Sequence, residues 1–261
     1  MSLSLVDADT DAPGGERRVV VITAAGAGIG RETALRFAAQ GAALVLNDVD
    51  EVALRAVADD IKTLGADVVT WAGDIGDPAV PGQLVGAAVD AFGRIDVLHN
   101  NAGFARNSLV ADLTDHDWYA QQRVVLDAVV FGTRAALPHI IASGGGCIVN
   151  TASISGLAGR SGMSAYSACK AAVIRFTEVT ALENARHGVR CVAVAPGAVR
   201  TAVLDRYLAS IGSTAEEFAG NILGRLTEPG EVADVVVWLA SDQAAAITGV
   251  TIPVNQTANR S

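Results

Sequence analysis

The sequence predicts an α/β fold, in which one doubly wound parallel sheet of about seven strands carries helices on both faces in a single domain. Two observations predict it. Short, continuously apolar runs alternate with longer helical patterns along most of the chain, which is typical of parallel sheets whose strands are covered on both sides. The chain has 261 residues, 51% of them hydrophobic, enough for one large core.

The strands are the short runs that are apolar at almost every position. They are predicted at 19–23, 43–47, 67–71, 96–100, 147–151, 189–194 and 250–254. The helical patterns between them are 28–40, 51–64, 78–92, 116–142, 164–187 and 229–241. Glycine is the residue that most often ends a helix, and it follows four of these segments, at Gly41, Gly65, Gly93 and Gly188.

Two stretches lack either pattern. Residues 1–15 are predicted to be a flexible tail, which leaves 16–261 as the Rossmann-type domain. The stretch 198–228 is long for a connection within a compact domain, and such segments are commonly lids or binding loops. We therefore expect a substrate lid at about 202–226.

Charge and composition limit the classes of function that we expect for this chain. A net charge of −9 argues against nucleic-acid binding. No apolar run reaches the length of a membrane span, and the acidic N-terminus does not resemble a secretory signal. The three cysteines have no paired spacing, so a reducing, cytoplasmic location is expected. The four histidines lack metal-ligand spacing, so we expect no metal and predict them to be surface or packed residues.

A glycine-rich loop follows the first strand and opens the first helix, where bare backbone and helix amides can bind a pyrophosphate. Its predicted cofactor residues are Thr23, Gly26, Gly28, Ile29 and Gly30. Asp48 ends the second strand, where a carboxylate can accept hydrogen bonds from a ribose and repel a 2′-phosphate. No basic residue lies in the glycine loop or just after Asp48, so we predict NAD rather than NADP. Asp50 is predicted to cap the next helix.

Ser153, Tyr166 and Lys170 form the candidate catalytic group. Tyr166 and Lys170 are four residues apart, which places them on one face of a helix. We expect the ammonium group to lower the pKa of the phenol from about 10 toward about 7, a change worth roughly 4 kcal/mol. The Ser153 hydroxyl can bind the same substrate oxygen.

Further motifs follow in order: G-D-I at 73–75, N-N-A-G at 100–103, Y-S-A-C-K at 166–170 and P-G-A-V-R-T at 196–201. Together with the glycine loop and Ser153 they resemble the short-chain dehydrogenase/reductase family, from Arg18 to about Val254.

The resemblance implies a role for each matching residue. Asp74 and Ile75 border the adenine, and the floor of the cofactor cleft is formed by Asn101, Ala102 and Gly103. The nicotinamide end is met by Pro196, Gly197, Val199 and Thr201. Tyr166 exchanges a proton with the substrate oxygen, Ser153 holds that oxygen, and Lys170 binds the nicotinamide ribose. Family members are usually homodimers or homotetramers.

Three departures from the family pattern stand out. Ala24 replaces a glycine, which we expect to matter little if its φ is negative. Val125 stands where the family has an asparagine that helps to hold a water, and Gln121, four residues earlier, is a candidate substitute. The glycine pair after the last strand is replaced by P-V-N-Q-T.

Three functions are compatible with these features. The favoured one is an NAD-dependent dehydrogenase of a secondary alcohol, hydrophobic or alicyclic because the lid is apolar. The second is an NADPH-dependent ketoreductase of 3-oxoacyl or polyketide type, and the third is a nucleotide-binding protein that has lost its chemistry. The candidate substrate residues are Phe104, Leu204 and Tyr207, with Val203, Leu208, Ile211 and Phe218 as further apolar residues of the lid.

Overall fold

Seven parallel strands form the sheet at the centre of the computed structural model, which describes residues 11–12, 16–215 and 223–255. The strands are β3 (Val19–Thr23), β4 (Ala43–Asp48), β5 (Val68–Ala72), β6 (Val97–Asn100), β7 (Gly146–Thr151), β8 (Val189–Pro196) and β9 (Thr251–Val254). Their order across the sheet is β5-β4-β3-β6-β7-β8-β9. The predicted fold class is confirmed, with every predicted strand within two residues of its place.

The helices flank the sheet. They are α1 (Gly28–Ala39), α2 (Glu51–Thr63), α3 (Val80–Phe92), α4 (Asp115–Gln122), α5 (Ala128–Ala142), α6 (Ile154–Leu157), α7 (Ser164–Asn184), α8 (Ala202–Ile211) and α9 (Pro229–Ala240). The four glycines expected to end helices all have the positive φ that a side chain disfavours, between 72° and 80°.

The sheet separates two apolar cores. One contains side chains of α1, α2 and α9, and the other contains side chains of α3, α5 and α7. Because both faces are covered, the strands are apolar at nearly every position.

The topology fixes where a ligand site can form. Strand β3 pairs with β4 on one side and with β6 on the other. The chain therefore reverses its direction of winding beside β3, and the crevice at the carboxyl ends of these strands is where ligands bind in doubly wound sheets.

The predicted helix 116–142 is divided. A π-helical turn at Arg123–Asp127 separates α4 from α5, and such turns are frequent at functional sites. The whole segment Asp115–Ala142 is long and apolar enough to cross a membrane by length and composition. Its Val125, Gly132 and Ile140 are buried in the domain, so packing in the core accounts for the apolar character of these positions.

Two regions expected to be irregular contain regular structure. Strand β1 (Asp11–Ala12), inside the predicted tail, pairs antiparallel with strand β2 (Glu16–Arg17), which directly follows the tail. The predicted lid contains α8, which Thr201 caps by accepting a hydrogen bond from the Leu204 amide. Residues 1–10, 13–15, 216–222 and 256–261, including Phe218 and the end of the P-V-N-Q-T stretch, lie outside the described residues.

Candidate active site

The loop between β3 and α1 is packed too closely to hold side chains at its glycines. A Cβ on Gly30 would lie 2.2 Å from the carbonyl oxygen of Ala24, and one on Gly26 would lie 2.9 Å from Oδ2 of Asp48. Gly28 begins α1 with a φ of +55°. Bare backbone therefore meets the amino end of a helix, an arrangement that fits the pyrophosphate of a dinucleotide.

Ala24 departs from expectation in this loop. Its φ is +52°, in the left-handed region, so the negative φ under which we expected the alanine to matter little is not found. The carbonyl groups of Thr23 and Ala24 both accept hydrogen bonds from Asn101 Nδ2, at 3.1 and 3.2 Å, which holds the loop in this conformation. A residue with a Cβ is strained there by about 1 kcal/mol.

Asp48 lies at the end of β4 beside the glycine loop. Its Oδ2 accepts a hydrogen bond of 2.8 Å from the Gly26 amide, and its Oδ1 accepts one of 3.0 Å from the Asp50 amide. Asp50 caps α2 as predicted, by accepting from the amides of Val52 and Ala53. The Asp48 carboxylate is thus fixed where the strand, the loop and α2 meet.

The predicted floor of the cofactor cleft is tied to β3. Thr23 Oγ1 accepts hydrogen bonds from the amides of Asn101, at 2.9 Å, and Ala102, at 3.1 Å. A Cβ on Gly103 would lie 3.3 Å from Nζ of Lys170. Glycine at this position therefore leaves room for the ammonium group.

The residues predicted to border the adenine follow β5. Asp74 Oδ1 accepts a hydrogen bond of 2.9 Å from the Gly76 amide, and Ile75 is buried against the core that contains α3 and α5. Ile29, in the first turn of α1, packs against the opposite core. These contacts give Asp74, Ile75 and Ile29 structural roles beside the cleft.

The predicted nicotinamide end begins where β8 ends, at Pro196. Gly197 follows it, and Val199 is buried. The methyl group of Thr201 lies 3.1 Å from the point where a Cβ on Gly28 would stand. Thr201 and the glycine loop therefore face each other across a narrow gap.

The three predicted catalytic residues converge at the carboxyl ends of the strands. Ser153 follows β7, and its hydroxyl lies close enough to the Tyr166 phenol to favour its ionised form. Nζ of Lys170 lies 5.7 Å from the centre of the Tyr166 ring, one turn along α7. The same ammonium group donates to the carbonyl oxygen of Thr151, the last residue of β7.

The pKa values of this group correct the expected electrostatics. Burial raises the pKa of Tyr166 to about 12, and the Ser153 hydroxyl opposes this rise. Burial lowers the pKa of Lys170 to about 8. The expectation that Lys170 brings the phenol toward 7 is therefore wrong for the protein without cofactor, because burial of the phenol outweighs the other influences on it.

An apolar cluster lies beside Tyr166. Its buried members are Met163, Leu204, Tyr207, Leu208 and Leu226, and Tyr166 and Ala105 pack against them. The predicted Leu204 and Tyr207 thus belong to the cluster against which Tyr166 packs. Phe104 is not part of the cluster, and the Arg106 guanidinium carbon lies 5.8 Å from the centre of its ring.

The proposed substitute for the missing asparagine is engaged elsewhere. Gln121 Oε1 accepts a hydrogen bond of 3.0 Å from the Arg106 amide, and its Nε2 donates to the Asp117 carbonyl at 3.2 Å. One end of the amide binds the loop before α4 and the other binds the first turn of α4 itself, which argues against that substitution. Val125 itself is fully buried in the π-helical turn.

Three residues around the site were not predicted from the sequence. Met163 belongs to the apolar cluster, and its position three residues before Tyr166 was the available signal. Thr151 receives Lys170, and His99 lies 3.0 Å from Thr151 Oγ1 through its Nε2. For His99, the available signal was a histidine within a mainly apolar strand.

Comparison with known proteins agrees with this geometry. The family model described as short chain dehydrogenase matches residues 18–210. Meso-2,3-butanediol dehydrogenase of Serratia marcescens is 40% identical, covering 92% of this chain and 94% of that protein. A 3-oxoacyl-[acyl-carrier-protein] reductase of Thermotoga maritima is 35% identical, covering 92% and 97%.

A solved structure supports the same conclusion. The crystal structure of levodione reductase superposes with a TM-score of 0.88 at 34% identity, covering 91% of this chain and 96% of that one. Family match, relatives, sheet order and site geometry all agree. The chain belongs to the short-chain dehydrogenase family.

Proposed function

We propose that this protein is an NAD-dependent oxidoreductase that interconverts an apolar secondary alcohol and its ketone. The observation that carries the proposal is the convergence of Ser153, Tyr166 and Lys170 next to a glycine cradle of dinucleotide-binding geometry. An acid–base phenol beside a hydroxyl that can hold an oxygen suits the transfer of a proton to or from a carbonyl oxygen.

Each residue of the site has its own role in the proposed reaction. When bound, the nicotinamide supplies or accepts the hydride. Ser153 holds the substrate oxygen, and Tyr166 gives that oxygen a proton in reduction or takes the hydroxyl proton in oxidation. With a pKa of about 12, the Tyr166 phenol is protonated at neutral pH and ready to donate. In oxidation it must act as a phenolate, which the nearby charge of Lys170 favours.

The charges around Asp48 favour NAD. A 2′-phosphate placed beside this carboxylate would be repelled. The nearest basic residue of α1, Arg31, is paired with Glu32 and Asp60, each at 2.9 Å. Its guanidinium is therefore already neutralised by two carboxylates.

The apolar cluster supports a hydrophobic or alicyclic substrate. Met163, Leu204 and Leu226 offer the substrate only apolar atoms near Tyr166. The butanediol dehydrogenase relative supports an alcohol as the reacting group. The reductase relative named for a 3-oxoacyl substrate favours the second candidate, an NADPH-dependent ketoreductase, and Asp48 opposes it.

We further propose that the enzyme is a cytoplasmic homodimer or homotetramer. Helix α7 leaves Val179 and Leu182 exposed, at 50% and 82%, and exposed apolar side chains on one helix suit contact with a second copy. The three cysteines are free and buried, as in a reducing compartment. Sedimentation of the purified protein tests the oligomeric state.

The test is a panel of secondary alcohols assayed with NAD and NADP at equal concentration by NADH or NADPH fluorescence. We expect NAD-dependent oxidation of at least one apolar alcohol. Tyr166→Phe should abolish turnover and still bind NADH, whereas Tyr119→Phe, an exposed tyrosine on α4, should leave the rate unchanged. No turnover of any alcohol or ketone would favour the inactive nucleotide-binding protein, and wild-type turnover by Tyr166→Phe would refute the role of Tyr166.

A further inference from the structure

His99 is a polar residue at an apolar position. It lies in β6 between Ile22 of β3 and Val149 of β7 and is 0% exposed. Its Nδ1 is buried without a hydrogen-bond partner among the described residues. An unpaired buried polar atom costs about 1–3 kcal/mol, so an aliphatic side chain would suit the fold better. Positions that break a local rule in this way often serve function.

The other ring nitrogen connects His99 to the catalytic lysine. Nε2 lies 3.0 Å from Oγ1 of Thr151, and that hydroxyl lies 3.4 Å from Oδ1 of Asn101. The carbonyl oxygen of the same threonine accepts the hydrogen bond from Nζ of Lys170. Thr151 is therefore the junction of a buried network that joins the ends of β6 and β7 to α7.

The directions of these hydrogen bonds determine the state of the imidazole. Asn101 Nδ2 donates to the carbonyl groups of Thr23 and Ala24, which leaves Oδ1 to accept. The single hydroxyl proton of Thr151 goes to that oxygen, so Thr151 must accept from Nε2–H of His99. A second proton on Nδ1 would be a buried charge with no acceptor among the described residues, so the imidazole is neutral and Nδ1 is a bare acceptor. Its pKa, lowered to about 3 by burial and then by the charge of Lys170, agrees with this.

We propose that His99 is a positioning residue for Lys170, because it holds Thr151 in the orientation that presents its carbonyl oxygen to the lysine ammonium group. The catalytic meaning of this role rests on the proposed function, in which Lys170 acts beside Tyr166. The contact itself is a property of the protein alone.

The charge on Lys170 depends on such contacts. Lys170 is 1% exposed, and a buried cation needs a fixed acceptor. The titratable groups around the network are Tyr166 and Cys169 on α7, His99 on β6 and, through Cys169, Asp127 before α5. Loss of the His99 hydrogen bond should loosen Thr151, destabilise the ammonium form and lower the pKa of Lys170 further.

The chain offers a direct measurement, because Lys62 and Lys170 are its two lysines. Lysine labelled with ¹³C at Cε gives one signal from each, and Lys62, with its side chain 63% exposed, serves as an internal control. The protein is titrated without cofactor or substrate as wild type, as His99→Val and as His99→Gln, whose amide nitrogen can replace Nε2–H.

We expect the Lys170 midpoint near pH 8 in the wild type. It should fall by about half a pH unit or more in His99→Val and return in His99→Gln. In an active preparation kcat should follow the same order, at least about threefold lower in the valine variant. An unchanged midpoint in His99→Val, or no recovery in His99→Gln, would overturn the proposal.

A second measurement covers the case in which a variant fails to fold. The ¹⁵N spectrum of the wild-type imidazole should show a neutral ring protonated at Nε2 between pH 6 and 8, a range well above the His99 pKa of about 3. A ring protonated at Nδ1, or an imidazolium ion, would contradict the network. Because neither spectrum requires turnover, failure of this proposal is distinguishable from failure of the proposed function.

Discussion

Replacement of Asp48 tests the cofactor preference most directly. Asp48→Asn removes the charge and keeps one oxygen that can accept a hydrogen bond. Two unit charges about 4 Å apart repel by roughly 4 kcal/mol at an effective dielectric constant near 20. Asp48 is partly exposed, so we take a smaller repulsion energy for each charge of the phosphate. A 2′-phosphate carries nearly two charges. The expected discrimination is then about 2–4 kcal/mol, or roughly 30- to 1000-fold in the ratio of kcat/KM for NAD to that for NADP.

The assay measures this ratio for the wild type, for Asp48→Asn and for Asp50→Asn. The ratio should fall by at least about tenfold in Asp48→Asn. Asp50→Asn is the matched control, because the same chemical change two residues away leaves a competent helix cap. A wild type that prefers NADP, or an Asp48→Asn variant with an unchanged ratio, would refute the electrostatic argument.

Three further predictions concern the loops and the lysine. Ala24→Gly should raise the free energy of unfolding by about 0.5–1 kcal/mol in urea melts, since it relieves the φ of +52°; a loss of stability would contradict this. Lys170→Met should be inactive yet more stable than the wild type at pH 7. Burial lowers the pKa of Lys170 from 10.5 to about 8, so above about pH 8 the native wild type loses this proton while the unfolded chain still holds it. The difference in the free energy of unfolding between Lys170→Met and the wild type should therefore shrink as the pH rises above about 8. A difference that stays constant with pH would refute the shift. Gly103→Ala should lower kcat, since its Cβ would lie 3.3 Å from Nζ of Lys170, whereas Gly86→Ala on α3, with open space around it, should not; equal rates in both variants would count against crowding of the lysine.

Regular elements were predictable because their signals are local. A run such as Val19–Thr23 is apolar at four of its five positions, and the structure buries all five residues. The spacing of Tyr166 and Lys170 placed both on one face of a helix, and they lie together on α7. The ends of strands and the glycines that end helices could be predicted equally well, since each depends on a few neighbouring residues.

The irregular parts escaped prediction for a different reason. The π-helical turn at Arg123–Asp127 lies in a sequence with ordinary helical periodicity, so no local pattern distinguishes it. Helix α8 lies in a stretch that lacked a clear pattern, and four of its apolar side chains pack in or against the cluster beside Tyr166. The positive φ of Ala24 follows from contacts with Asn101, a residue far along the chain.

Composition and spacing were enough to predict the winding of the sheet, the glycine cradle and the three residues at the site. The folded arrangement of the chain, in contrast, sets the charge on those residues. It buried Tyr166 and Lys170 and moved their pKa values to about 12 and about 8, and it connected His99 through Thr151 to the lysine. Desolvation and hydrogen bonds between distant strands depend on what surrounds a group in space, which no short stretch of sequence specifies.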